Sequence, residues 1–268
     1  ELLGSAYDAD SDGEEGKYYT YTYDEVKDIK DIEQYFEISQ TGNWEGKIIL
    51  KEIKFPPEAI IKQLAELKKD RKKPFFDKKT QLDLNCLWTS ALISSHNALP
   101  NEGYLKKAED NFIKIEKFFF NEKELFHSNS KSTVFLEDYA YAISMLLDLS
   151  DATFKINYLM KAKDLCKKVI EYFYISEKSI FQKNKKNTND LFHNPIDISD
   201  HTLPNGNGVM LLNFSRLGMK EKGENLCDSL NGYLNVYGSV MISSLKSVDY
   251  FNIVQEGKSC NQDGCKID

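Results

Sequence analysis

The chain has 268 residues, enough to bury the core of one large domain or two small ones, with 41% hydrophobic and 29% charged residues, which are ordinary globular values. Its formal net charge of -7 and pI near 5.3 repel phosphate backbones. The short basic runs Lys68-Lys69-Asp70-Arg71-Lys72-Lys73 and Lys183-Asn184-Lys185-Lys186 lack interleaved stacking aromatics, so nucleic acid is set aside as a partner. No stretch approaches the ~20 apolar residues that span a bilayer, so no membrane partner is expected either.

Residues 1–55 read as an acidic loop, a short strand and short helices. Asp8-x-Asp10-x-Asp12-Gly13 places carboxylates at alternate positions before a glycine, as a calcium loop begins. Tyr19 stands where that loop needs a bidentate Glu, so no metal is assigned. The other readings are a carboxylate presented to a pocket and a solvated acidic loop. The alternation Tyr18-Tyr-Thr-Tyr-Thr-Tyr23 predicts a strand with Tyr19, Tyr21 and Tyr23 on one face. Asp24 is expected to cap a short helix, with a second over 32–38. The Trp44 loop then leads into the apolar run Ile48-Ile49-Leu50.

After Pro56-Pro57 the pattern becomes helical, with Ile60, Leu64 and Leu67 at helical spacing and Pro57 suited to the first turn. Three helix pairs follow, at 81–98 with 104–119, 134–149 with 158–174, and 207–217 with 220–236, then a shorter helix over 240–245. The first member of each pair is the more apolar, as in Leu87-Trp88-Thr-Ser-Ala-Leu-Ile93. Helices apolar nearly all round belong inside and amphipathic partners outside. The fold class is therefore mostly α, part of an (α/α)6 six-hairpin toroid with a short β segment near the N-terminus. The toroid is assigned to 56–248, and 249–268 to a tail carrying Cys260-x4-Cys265. Six hairpins close such a ring and about half are present, so the chain reads as a piece of a longer protein.

Cys86, Cys166 and Cys227 fall on apolar helix faces, where Cys acts as a small hydrophobe. An odd, scattered set of five argues for a reducing, cytoplasmic compartment. Cys260 and Cys265 read as a pair of solvent-facing thiols, as a bridge, or as half of a metal site.

Four polar motifs fall in loops leading into inner helices: the acidic loop with Asp10, then Asp77-x-Lys79-x-x-x-Asp83-x-Asn85, Leu136-Glu-Asp138-Tyr139-Ala140, and Asp200-His-Thr-Leu-Pro204-Asn-Gly-Asn207-Gly208. Asp83 and Asn207 are candidate caps as well as candidate site residues. Asp138 and Tyr139 stand inside an apolar helix start, where a carboxylate is costly unless paired. They are either hydrogen-bonded in the core or open to a central cavity.

With Glu15-Gly-Lys-Tyr-Tyr19 and Gly42-Asn-Trp44-Glu-Gly46, these motifs occur in an order that resembles the C-terminal portion of the spermatogenesis-associated, thioredoxin-domain-containing proteins. The likeness covers nearly the whole chain, including the Cys260-x4-Cys265 tail. It implies a helical toroid similar to N-acylglucosamine 2-epimerases and six-hairpin glycosidases. It also implies that a thioredoxin-like domain and the first hairpins, the remaining N-terminal part of the same protein, are partners of this chain. Leu84 departs from the family's usual Trp, Glu137 from Asp, Asn205 from Ser and His201 from a small residue. The resemblance carries architecture rather than an activity.

The first functional expectation is a carbohydrate-processing or sugar-binding cup. Asp83, Asp138 and Asp200 are its candidate catalytic groups, with Asp10, Asp77, Asn85, Tyr139 and Asn207 binding a small carbohydrate. Paired carboxylates suit glycosidic acid/base work, one with a raised pKa and one ionised. No cofactor is called for. His96, His127, His193 and His201 form no evident acid–base pair, which speaks against an epimerase mechanism. The second expectation is a non-catalytic scaffold that presents a client to the upstream thioredoxin-like domain.

Overall fold

The computed structural model describes residues 2–100, 102–121, 124–186 and 193–255, and the backbone of 259–261 and 264–266. The chain divides into two compact units, Gly4–Lys78 and the remainder from Lys79 onward with the first three residues.

In the Gly4–Lys78 unit, short antiparallel ribbons surround a small core of Tyr21, Val26, Ile29, Ile32, Phe36, Ile48, Ile60 and Leu64. The acidic motif is a hairpin, Asp10–Ser11 against Glu14–Glu15, turned by Asp12 and Gly13 at φ +57° and +77°. Two consecutive positive φ values are what an Asp-Gly hairpin turn requires, and the glycine serves that turn rather than a calcium loop. The Tyr/Thr alternation forms no strand. Tyr21 makes a single bridge to Ile48, Tyr19 is exposed, and helix α1 (Tyr23–Val26) begins at once. Its cap is Thr22 rather than Asp24, because Thr22 accepts from the Glu25 N–H while Glu25 accepts from the Thr22 N–H. The helix expected over 32–38 reduces to a 3-10 turn, Ile32–Gln34, followed by a strand, Phe36–Glu37, paired with Lys51–Glu52. Pro57 is the N-cap of α2 (Glu58–Leu67), which buries Ile60 and Leu64 but leaves Leu67 exposed.

The larger unit holds α3 (Leu82–Ala98), α4 (Tyr104–Phe119), α5 (Leu136–Thr153), α6 (Ile156–Phe173), α7 (Gly206–Arg216), α8 (Lys220–Tyr237) and α9 (Ile242–Gln255). Helices α3, α5, α7 and α9 pack side by side as an inner row, while α4, α6 and α8 each back onto their inner partner. This is the α/α-toroid arrangement. The division follows composition: α5 buries eleven of its residues all round, whereas α6 buries one stripe, Tyr158, Ala162, Leu165, Cys166, Val169 and Phe173. Between the outer helices, Lys155 pairs with Glu109 at 2.5 Å and Lys161 with Glu116.

Helix α9 runs well beyond the expected 240–245. It buries Ser244, Ser247, Val248 and Phe251, and serine on a buried face hides the apolar period. Small residues set its contact with α7: a Cβ on Gly208 would lie 3.0 Å from the Ser244 backbone. The buried thiols of Cys86, Cys166 and Cys227 are free, and burial pushes that of Cys166 up to about 12. In the tail, Ser259–Asn261 pairs with Gly264–Lys266, Cys260 opposite Cys265, and the two thiols themselves lie outside the described residues. No helix among the described residues is long and apolar enough to cross a membrane.

Candidate active site

The leading ends of α3 and α5 and the loop between α4 and α5 bring three side chains together. Asp83 is the second residue of α3, and its Oδ1 accepts from the Leu84 N–H at 2.8 Å. Asp138 is the third residue of α5, and its Oδ2 accepts from the Phe135 N–H at 2.8 Å, closing the first turn. His127 belongs to the loop, which is strapped to the start of α3 by the Leu82 N–H to His127 O bond at 2.8 Å. Its ring stands edge-on to Phe135, with centroids 5.2 Å apart.

His127 Nδ1 donates to both oxygens of Asp138, at 3.0 and 3.1 Å, and the Gln81 amide approaches Nε2 at 3.1 Å. Asp138 is fully buried, while the His127 side chain keeps 13% of its surface exposed. Ligand-type atoms of Asp83, His127 and Asp138 all lie within 4.8 Å of one another, so this trio could also hold a cation. A proton already bridges two of its members, however, and Asp138 has no oxygen left uncommitted.

The trio lines a cleft of about 250 Å³ together with Glu137, Lys183, Asp197 and Asn205. Burial and the nearby Asp138 charge raise the Asp83 pKa. Burial raises that of Glu137. The hydrogen bond to Asp138 raises that of His127, against the opposing effect of burial. Lys183 pairs with Asp197 at 3.0 Å, whereas Asp83 and Glu137 form no ion pair among the described residues. The cleft thus offers a carboxyl that keeps its proton to higher pH beside an imidazole oriented by a buried carboxylate. That pairing suits proton transfer to and from a bound hydroxyl or carbonyl.

The remaining sequence candidates are placed elsewhere. Asp200 accepts from Asn205 N and Nδ2 at 2.9 and 2.8 Å, from Ser243 N at 2.7 Å and from Ser243 Oγ. It thereby joins the cap of α7 to the first turn of α9. Burial works to raise its pKa, but these donors outweigh that and hold it below the usual range. The cap of α7 is Asn205, which accepts from Gly208 N at 2.9 Å, rather than Asn207. Asn207 instead accepts from Phe181 N–H and donates to the Phe181 and Asp197 carbonyls. Asn85 is buried, accepts from Leu3 N–H and donates to Gln81 O, so it fastens the start of the chain. The cap of α3 is Gln81, with Asp83 two residues further in. Tyr139 packs in the core against Tyr172 and Phe173, at 6.3 and 5.6 Å. Asp10 and Asp77 belong to the Gly4–Lys78 unit, Asp10 exposed on its hairpin and Asp77 in a ribbon with Ala6.

His127 and Glu137, with Lys183 and Asp197, are among the cleft residues that sequence reasoning passed over. A histidine eleven positions before Asp138, across an irregular loop, has no periodic signature, and a pair sought only among histidines misses one whose partner is a carboxylate.

No protein-family profile and no curated protein matches the chain. Among solved structures, it resembles a GH76 alpha-mannanase from Bacteroides thetaiotaomicron, at 14% identity and a TM-score of 0.51, over 72% of this chain and 63% of that one. It also aligns with a cellobiose 2-epimerase from Bacillus thermoamylovorans, at 14% identity and a TM-score of 0.48, over 69% of this chain and 63% of that one. The chain therefore spans less than two thirds of either neighbour, and the likeness to the mannanase is one of fold.

Proposed function

We propose that this chain is the carbohydrate-processing part of an α/α-toroid protein, taking one sugar ring into the cleft at the leading ends of α3 and α5. Asp83 acts as the acid, His127 as the base or proton shuttle, and Asp138 as the group that orients His127. The observation that carries the reading is the convergence of Asp83 and His127 on one cleft, with Asp138 buried behind them. The cleft volume, about 250 Å³, falls below the ~300–1,000 Å³ of drug-sized pockets and suits a single ring. The mannanase that shares the fold acts on a carbohydrate by its name, which supports this choice of ligand class. Thioredoxin-linked partners remain what the sequence resemblance implies.

The test is a thermal-shift screen against mono- and disaccharides. A ligand at about 100 times its Kd stabilises by about 2.7 kcal/mol. Asp83→Asn and His127→Gln should abolish the shift, while Asp200→Asn, outside the cleft, should keep it. Absence of any sugar-dependent shift, with capture of a thiol-bearing peptide instead, would favour the scaffold.

A further inference from the structure

The Gly4–Lys78 unit carries a second concave surface unrelated to the sugar cleft. Tyr7, Tyr19 and Trp44 line a groove of about 370 Å³ with Asp8 and Glu15. Its floor is built around Gly16, at φ +71°, where a Cβ would sit 2.6 Å from the Trp44 ring, so the indole lies directly on backbone. Tyr19 is fixed by donating its hydroxyl to the Asp8 carbonyl at 2.9 Å, and Tyr7 rests against Phe76 with ring centroids 4.6 Å apart. The rings are held in place, yet Tyr7 and Tyr19 remain 63% and 42% exposed.

Charge on the same hairpin is divided sharply. Asp12 and Glu14 are ion-paired with Lys17, Lys47 and Lys72. Asp8 and Glu15, which face the groove, form no ion pair among the described residues, and no Lys or Arg lines it. The unit's cation–π contacts, such as Lys68 and Arg71 over Tyr21, fall on other rings than these three. Three aromatic rings and two carboxylates without an ion-pair partner make a surface whose complement is a positive charge on an apolar body.

We infer that the Tyr7–Tyr19–Trp44 groove is a binding site for an alkylammonium group. The cation lies over the aromatic faces, with Asp8 and Glu15 at its edge, and the methyl or methylene groups fill the apolar floor. This site is independent of the sugar reading and survives its failure.

The experiment uses the full chain with Trp88→Phe, which leaves Trp44 as the one indole of the two in the sequence. Choline and tetramethylammonium are titrated against 3,3-dimethylbutanol, the neutral isostere of choline, and Trp44 fluorescence is followed. The cations should give a saturable change, weakened about tenfold by Asp8→Asn with Glu15→Gln and by high salt, while the neutral isostere binds at least about tenfold more weakly. Both substitutions are on exposed side chains, so the fold is kept. Equal response to the neutral isostere, insensitivity to the double substitution, or no saturation up to about 100 mM overturns the proposal.

Discussion

Replacing Asp138 by Asn tests the His127–Asp138 pair at its most consequential atom. The buried carboxylate accepts from His127 Nδ1 and from the Phe135 N–H. Asparagine keeps the volume and one acceptor for Phe135, but turns an N–H2 toward His127 in place of an oxygen. A hydrogen bond to a charged group is worth about 1.5–3 kcal/mol, and the loss should fall in the upper half of that range. It should stay short of the ~3–5 kcal/mol of a pair left wholly uncompensated, because His127 retains some solvent contact. For a unit of this size, about 2–3 kcal/mol lowers Tm by roughly 4–12 °C. The sign with pH is fixed by His127, whose folded-state pKa is raised. Its contribution is complete below the unfolded value of about 6.5 and fades as pH rises through the folded value. Melts of wild type and Asp138→Asn should therefore differ more at pH 5.5 than at pH 9. A gap that is flat or reversed with pH, or smaller than about 0.5 kcal/mol, refutes the pairing.

Three further outcomes follow from neighbouring geometry. Asp83→Asn should leave stability at pH 7 unchanged or raise it by up to about 1 kcal/mol, since folding disfavours the ionised form of a carboxyl with a raised pKa. Urea denaturation at pH 7 and pH 4 checks this, the gain vanishing in acid, and a loss of more than about 1 kcal/mol at pH 7 would make Asp83 structural. Asp200→Asn should cost about 1–2 kcal/mol at neutral pH and expose the first turn of α9 to amide exchange. Because the Asp200 pKa is lowered, that cost is present above the unfolded value near 3.9 and disappears as pH falls through the folded one. Gly208→Ala should destabilise by about 1–3 kcal/mol, measured by denaturation, because its Cβ would meet Ser244 Oγ at 2.8 Å and, behind it, the Ser244 backbone at 3.0 Å.

Much of the helical row was legible because its signal is collective. The contrast between apolar α5 and striped α6 spans many residues, and no single substitution hides it. Short elements lacked that redundancy. Tyr19 and Tyr21 alternate like a strand, yet the capping box of Thr22 and Glu25 starts a helix before a ladder can form. Helix α9 was underestimated for the opposite reason, since Ser244 and Ser247 pack where a larger apolar residue would have marked the period.

The site was half legible, and the missing half follows from what polar side chains do at helix starts. Asp83, Asn85, Asp138, Asn205 and Asn207 all stand within a few residues of an inner helix's first turn, where a carboxylate or amide serves equally as a cap, a strap or a reactive group. Sequence spacing does not separate these roles. Hydrogen-bonding capacity does: Asn85, Asn205, Asn207 and Asp200 spend theirs on Leu3, Ser243, Phe181 and their own helix ends. Asp83 and Glu137 line the cleft without an ion-pair partner among the described residues, and His127 lines it with part of its side chain exposed. A polar group that the scaffold has not consumed is the one left for a ligand, which puts Asp83 rather than Asp200 beside the His127–Asp138 pair.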